Sequence, residues 1–307
     1  MGNPKDSGII NCGHADADHI IIGVPFDGTS SGAKGADKGP GAIKAMLEHQ
    51  IERFHQLLGN APCENTNIAW LTAVICENAK QPLEQMMTSA HDLCTSCYSM
   101  RQSFTIVGGE HSVTIPALRA YTKFHDPESV TIVCVDAHLD LRDIDEYNEV
   151  PFGKNAHCSV MRRAHEHGFK ILNIGARSYS QEEMSYARRN HETIQVFSPL
   201  EKDISVAAVL RSIQTDKVWV SIDADGICPG DMPATGTPVG GGVSLDFVRR
   251  LLFQIATRKH HIIGADVVEV APPLDPMSNL TAYNAAQLVY ELIGYQRRPG
   301  CRANKTK

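Results

Sequence analysis

A chain of 307 residues has room for one large α/β domain or two small ones. Hydrophobic residues at 42% exclude a disordered chain, and 21% charged residues with 24 Gly and 16 Pro exclude collagen-like and low-complexity classes. With 29 Lys and Arg against 35 Asp and Glu, the net charge is −6, so no basic footprint points to nucleic acid or an anionic membrane.

In chain order, apolar runs and helical patterns alternate. Strand 19–24 is followed by helix 41–58, strand 68–74 by helix 82–100, and strand 104–107 by helix 112–124. Strands 130–136 and 170–174 come next, then helix 181–190, strand 194–197, helix 205–213, strand 217–223, helix 244–257, strand 261–270 and helix 280–295. Several strands are continuous apolar runs, as expected when both faces are buried. Strand–helix alternation predicts a parallel sheet flanked by helices, with right-handed crossovers. No linker interrupts the rhythm, so residues 1–307 read as one domain, with loosely ordered tails at 1–18 and 299–307.

The nine cysteines are an odd, scattered set. Cys134, inside an apolar strand, reads as a small buried hydrophobe. Cys94 and Cys97 have CxxC spacing, but they sit in a helix-like stretch without a second pair, which favours core packing over metal or redox work. The N-terminal residues Pro4, Lys5 and Asp6 do not suit a secretory signal, and no apolar run approaches the length of a membrane span. A cytoplasmic protein is expected.

Parallel sheets bind ligands at the carboxyl ends of their strands. Four strand ends run into polar clusters there: Gly108–Gly109–Glu110–His111–Ser112, Asp136–Ala137–His138–Leu139–Asp140, Asp223–Ala224–Asp225, and Glu269. On an extended backbone, residues two apart share a face, so Asp136, His138 and Asp140 converge, as do Asp223 and Asp225. Such converging carboxylates repel unless cations lie between them. His111, Asp136, His138, Asp140, Asp223 and Asp225 offer two imidazoles and four carboxylates without a thiolate. That set favours Mn²⁺, with Fe²⁺, Co²⁺, Ni²⁺ and Zn²⁺ compatible. Two divalent ions balance four carboxylates, so a two-metal site is expected.

These clusters resemble the three metal signatures of the ureohydrolases, the family of arginases, agmatinases and formiminoglutamases. Ala234–Thr235–Gly236–Thr237–Pro238 and Asp266–Val267–Val268–Glu269–Val270 resemble further family segments, and the likeness runs from Val24–Pro25–Phe26–Asp27 to the last helix. The resemblance implies a three-layer α/β/α sandwich around an eight-stranded, mostly parallel sheet. It implies two Mn²⁺ per chain: His111 and Asp140 on one, His138 and Asp225 on the other, Asp136 and Asp223 bridging. The implied reaction is hydrolysis of a guanidino group to urea and an amine by a metal-bridging hydroxide. Asp140 would hold that hydroxide and take its proton, Glu269 would pair with the guanidinium, and His157 would deliver a proton to the leaving amine.

Specificity lies in the loops that hold the far end of the substrate. The stretch Ile174–Gly175–Ala176–Arg177–Ser178, then Gln181–Glu182–Glu183, and the Val24–Ile43 region resemble the agmatinase branch, which implies agmatine as substrate and putrescine as product, a step of arginine metabolism and polyamine biosynthesis. Asn155 and Arg177 are the further candidate substrate-binding residues. Rival substrates are 4-guanidinobutanoate, guanidinopropionate, arginine and formiminoglutamate, and Arg177 or Lys154 would then read an anionic tail. A catalytically silent metal-binding relative is the reading from another class. The partner is thus a small cationic guanidino compound, with no nucleic acid or membrane, in a homo-oligomer that the resemblance makes a trimer or hexamer. Two positions depart from the family pattern: Cys228 stands where an Asp often precedes Pro, with Asp231 a candidate to compensate, and Cys158 stands where Gly often follows the histidine.

Overall fold

The computed structural model describes residues 8–75, 81–145, 153–200, 204–276 and 278–297. Eight strands form one parallel sheet: β1 (His19–Val24), β2 (Ile68–Thr72), β3 (Ser103–Gly108), β4 (Val130–Val135), β5 (Lys170–Ile174), β6 (Ile194–Phe197), β7 (Lys217–Asp223) and β8 (His261–Val268). Their order is β2-β1-β3-β8-β7-β4-β5-β6, so β3, β8, β7 and β4 are central. In the register, Ile106 of β3 and Ser221 of β7 both face Asp266 of β8, and Val135 of β4 faces Ile222 of β7.

Alternation along each buried strand divides its side chains between two cores. On one face, Ile21, Val133, Val220 and Val267 pack with α1 (Gly39–His49), α6 (Val206–Ser212), α7 (Leu245–Thr257) and α8 (Leu280–Gln296). On the other, Ile20, Ile22, Ile132 and Trp219 pack with α2 (Pro82–Ser99), α3 (Thr114–Thr122), α4 (Val160–Glu166) and α5 (Gln181–Arg189). Two apolar layers around a buried sheet give the expected three-layer sandwich. Cys94 and Cys97 both lie in the second core, where burial pushes both thiols up, that of Cys97 to about 12. Among the described residues no helix is long and apolar enough to cross a membrane.

Three departures from the sequence reading have local causes. The helix expected at 41–58 ends at His49, because Ile51 turns into the core and His55 packs edge-on against Tyr295 at 5.2 Å. The short α4 is an element the pattern did not mark. Residues 8–18, expected to be a loose tail, are tied down where described: Ile9 is buried, and the Asn11 amide donates to the Cys63 and Thr66 carbonyls. The remaining tail residues, 1–7 and 299–307, lie outside the described residues.

Candidate metal centre and active site

Strand ends deliver the polar residues to one place. Beyond β3 the chain must pass between the exits of β1 and β8, and only glycine fits. The Gly109 N–H donates to Val24 (2.8 Å), its carbonyl accepts from the Glu269 N–H (2.7 Å), and a Cβ there would lie 1.9 Å from the Phe26 oxygen. The next residues, Glu110 and His111, are thereby directed inward and fully buried. Gly226 does the same after β7, since a Cβ would meet the Asp136 backbone nitrogen at 2.4 Å.

Asp136, at the end of β4, is the centre of the arrangement. Its Oδ2 lies 3.3 Å from His111 Nδ1 and its Oδ1 lies 3.6 Å from His138 Nδ1, so each carboxylate oxygen faces a different imidazole. His111 Nδ1 is also 3.0 Å from Asp140 Oδ2 and 3.5 Å from Asp223 Oδ2, while His138 Nδ1 is 3.1 Å from Asp225 Oδ2. All six residues expected to hold metal are therefore brought together. Backbone amides fix the carboxylates: the His138 N–H donates to Asp136 Oδ1 (2.7 Å), the Asp225 N–H to Asp223 Oδ1 (2.9 Å) and the Ala137 N–H to Asp225 Oδ1 (3.1 Å). Thr237 Oγ1 donates to the other Asp225 oxygen at 3.0 Å.

Behind His111 stands a polar relay. Trp219 Nε1 and Ser221 Oγ each donate to Asp266, both at 2.6 Å, and Ser221 Oγ is 2.9 Å from His111 Nε2. With its own proton committed to Asp266, the Ser221 oxygen accepts from Nε2–H, which leaves the Nδ1 lone pair pointing at carboxylates. Nδ1 is buried and makes no hydrogen bond. A lone pair facing three carboxylate oxygens needs a cation between them, either a proton or a metal.

The proton affinities carry the same message. Burial pushes both imidazoles down, but Asp136 with Asp140, and Asp136 with Asp225, outweigh it; His111 is held well above its ordinary value and His138 at about 11. Burial and the neighbouring Asp136 charge push Asp140 up to about 7. Burial, then Asp225 and Asp136, hold Asp223 well above the carboxylate range. Burial raises Asp136 too, yet the two imidazoles win and its net shift is downward. Carboxylates and imidazoles crowded in this way favour a shared positive charge, which divalent cations would supply. Among the described residues, Asp136–His138–Asp225 and His111–Cys134–Asp136 are the donor groups close enough for metal.

Glu269 follows β8 at φ 61° and Asp140 sits at φ 51°, a left-handed backbone uncommon for residues other than glycine. Glu269 Oε1 accepts from the His111 N–H at 2.9 Å, and burial with the Glu110 charge holds its carboxyl well above the usual range. The His157 N–H donates to Thr29 Oγ1 at 2.9 Å, and Thr29 donates from its hydroxyl and its backbone N–H to buried Glu110. Burial pushes the His157 ring down to about 4, so it is neutral at neutral pH, and its Nε2 is buried without a partner. Thr29, Glu110, Ser221, Asp266 and Thr237 were not singled out as site residues by sequence. Glu110, Thr237 and Asp266 do lie inside the quoted motifs and Thr29 inside the stretch that ends at Ile43, but no periodic or spacing signal marks Thr29.

Both residues expected at the substrate tail have partners within the protein. Arg177 spends its guanidinium on main-chain carbonyls, those of Gly240 (2.8 Å), Gly175 (3.0 Å), Asp225 (2.7 Å) and Val239 (2.6 Å), so it clamps the 239–240 loop to the sheet edge. Asn155 Oδ1 accepts from Arg119 Nη2 at 2.8 Å, which ties its side chain to α3. Asp231 does not replace an acid at Cys228; its Oδ2 accepts from the Leu245 N–H (2.9 Å) at the start of α7. Cys158 is partly buried, and burial with the Asp140 charge pushes its thiol up to about 12.

Residues 17–294 match the Arginase family. An N(1)-aminopropylagmatine ureohydrolase of Synechocystis is 32% identical over 292 residues, covering 92% of this chain and 90% of that protein. An agmatinase of Pyrococcus horikoshii is 32% identical over 286 residues, covering 92% and 93%. The solved agmatine ureohydrolase of Thermoplasma volcanium superposes with a TM-score of 0.80 at 27% identity, covering 96% of this chain and 95% of that one.

Proposed function

Because the chain belongs to the arginase family of ureohydrolases, which act on C–N bonds of guanidino compounds, we propose that it hydrolyses a guanidine with a cationic tail, agmatine or its N-aminopropyl derivative, to urea and the corresponding amine. The observation that carries the reading is Asp136, whose two oxygens face His111 and His138 separately, as a ligand shared between two ions would. His111, Asp136, Asp140, His138, Asp223 and Asp225 would hold two Mn²⁺ ions, which would supply the charge that lowers the pKa of an attacking water towards neutrality.

This chain's own groups do the rest. Glu269, fixed through the His111 N–H, presents a planar carboxylate that pairs with a guanidinium by parallel hydrogen bonds. Asp140 holds the water and accepts its proton. His157, neutral before the reaction, takes up the proton that Asp140 removed from the water and passes it from Nε2 to the departing amine. The loop that carries it is set by Thr29 and Glu110.

The tail argument rests on which cations are already engaged. The two groups nominated for an anionic tail are Arg177, used on carbonyls, and Lys154, 3.7 Å from an Asp143 carboxylate oxygen. An anionic tail would have to break those contacts, whereas a cationic tail does not need them. The same reading makes the protein a single-domain cytoplasmic enzyme that assembles as a trimer or hexamer. The test is urea release from Mn²⁺-loaded protein with agmatine, N1-aminopropylagmatine, arginine and 4-guanidinobutanoate side by side. Turnover of either cationic-tailed guanidine supports the proposal; preference for 4-guanidinobutanoate rejects the tail argument. Metal-replete protein inert on all four makes the chain a silent relative.

A further inference from the structure

Cys134 is the last residue but one of β4 and precedes Asp136, just beyond the strand, by two residues. Its thiol is fully buried and reaches the floor of the carboxylate cluster, 3.9 Å from Asp136 Oδ2. The sulfur, an oxygen of Asp136 and a ring nitrogen of His111 all lie within 4.8 Å of one another. The nitrogen that His111 turns towards the cluster, Nδ1, is buried and unpartnered. A second trio, Asp136, His138 and Asp225, is equally close but contains only nitrogen and carboxylate oxygen. The two positions that share Asp136 therefore differ in softness.

We propose that Cys134 is a ligand of the metal position on the His111 side. That position becomes a mixed nitrogen, sulfur and oxygen site that takes borderline ions such as Zn²⁺ and Co²⁺ as well as Mn²⁺, while the His138 position stays nitrogen and oxygen only. The inference rests on the two-metal reading of the site. On binding, the S–H bond breaks, its proton passes to the buffer, a metal–sulfur bond forms, and no oxidation state changes.

Cobalt is the probe, because sulfur bonded to Co²⁺ gives a near-ultraviolet charge-transfer absorption that nitrogen and oxygen ligands do not. Metal-free protein is titrated with Co²⁺ while bound metal is counted by mass spectrometry. The expected result is a charge-transfer band that saturates with one of the two bound ions. Cys134→Ser and Cys134→Ala should lose the band while their circular dichroism and their count of bound cobalt stay near those of the parent. Two bound cobalt ions without a band in the parent protein would overturn the assignment and leave the two-metal reading intact. A parent that binds no divalent ion sinks both. A band that survives in either variant would also overturn it, since the sulfur would belong to another residue.

Discussion

His19 and His111 are both buried at the ends of sheet strands, and they behave in opposite ways. His19 opens β1, at the amino edge, and both its nitrogens meet hydroxyls, Ser103 Oγ at 2.8 Å and Thr105 Oγ1 at 3.1 Å. Burial, aided by Arg297, pushes it down to about 3. His111 follows β3, at the carboxyl edge, and meets one hydroxyl and three carboxylates. Residue type and depth are the same, so neither makes a site. What separates the two is uncompensated charge: neutral partners satisfy a neutral imidazole, whereas a crowd of carboxylates demands a cation.

The hardest way to break that contrast is to remove the carboxylate both imidazoles share. Asp136→Asn should strip both metal positions and lower urea release to the level of exhaustively chelated protein. Asp225→Asn should empty the His138 position and leave an ion beside His111. Metal counts per chain by mass spectrometry decide it; if Asp136→Asn retains two ions, the bridging role is wrong.

One step less severe, His157→Ala should lower kcat roughly 10²-fold or more with metal content unchanged, the scale of lost proton transfer. Wild-type turnover would remove His157 from the mechanism. A smaller effect is expected from Ser221→Ala, which takes away the hydroxyl that sets the His111 tautomer. Outer partners of metal-binding histidines are worth about 10–100-fold in metal affinity. The loss should fall on the His111 position and spare the other, which stepwise titration calorimetry resolves. An equal loss at both positions would mean that Ser221 acts through the sheet at large.

The two ends of the sheet also differ in how far the sequence discloses them. At the carboxyl edge, Asp136, His138 and Asp140 are legible as polar residues two apart directly after an apolar run, and a resemblance could attach to that spacing, although the strand itself ends at Val135 and a left-handed turn at Asp140 (φ 51°) completes the convergence. The strands themselves are legible for a related reason: β1, β5, β6 and β7 are apolar runs with polar stops, and their bounds match the reading. α4 escaped because Val160–Glu166 is seven residues long and half polar, too short for a helical period to register. Thr29 escaped for a different reason. Its link to His157 spans 128 residues of chain and depends on where two loops meet, which no local pattern encodes. The carbonyl partners of Arg177 were not legible because a loop arginine beside a site looks alike whether it bonds substrate or carbonyls. Only the positions of Gly240, Val239 and Asp225 distinguish the two.

The mildest intervention lies at the amino edge, where His19 should affect stability and leave chemistry alone. Its folded value, about 3, is below the ordinary 6.5, so as pH falls through 6.5 the unfolded imidazole takes a proton that the folded one refuses. The unfolded state therefore binds more protons between those values. His19's contribution is complete above 6.5 and is lost progressively as pH drops towards 3. His157 and His55, both pushed down to about 4 by burial, act in the same direction. His19→Gln should flatten part of that acid slope, because glutamine has no proton to gain. It should also cost about 1–3 kcal/mol at neutral pH, as the Ser103 and Thr105 hydroxyls lose a fitted partner. Denaturant midpoints at about pH 5 and pH 7 measure both effects. Metal content and KM should not move, since His19 sits at the far end of the strands from the carboxylates. If they do move, the two ends of the sheet are coupled, and the division between a satisfied histidine and a functional one does not hold for this fold.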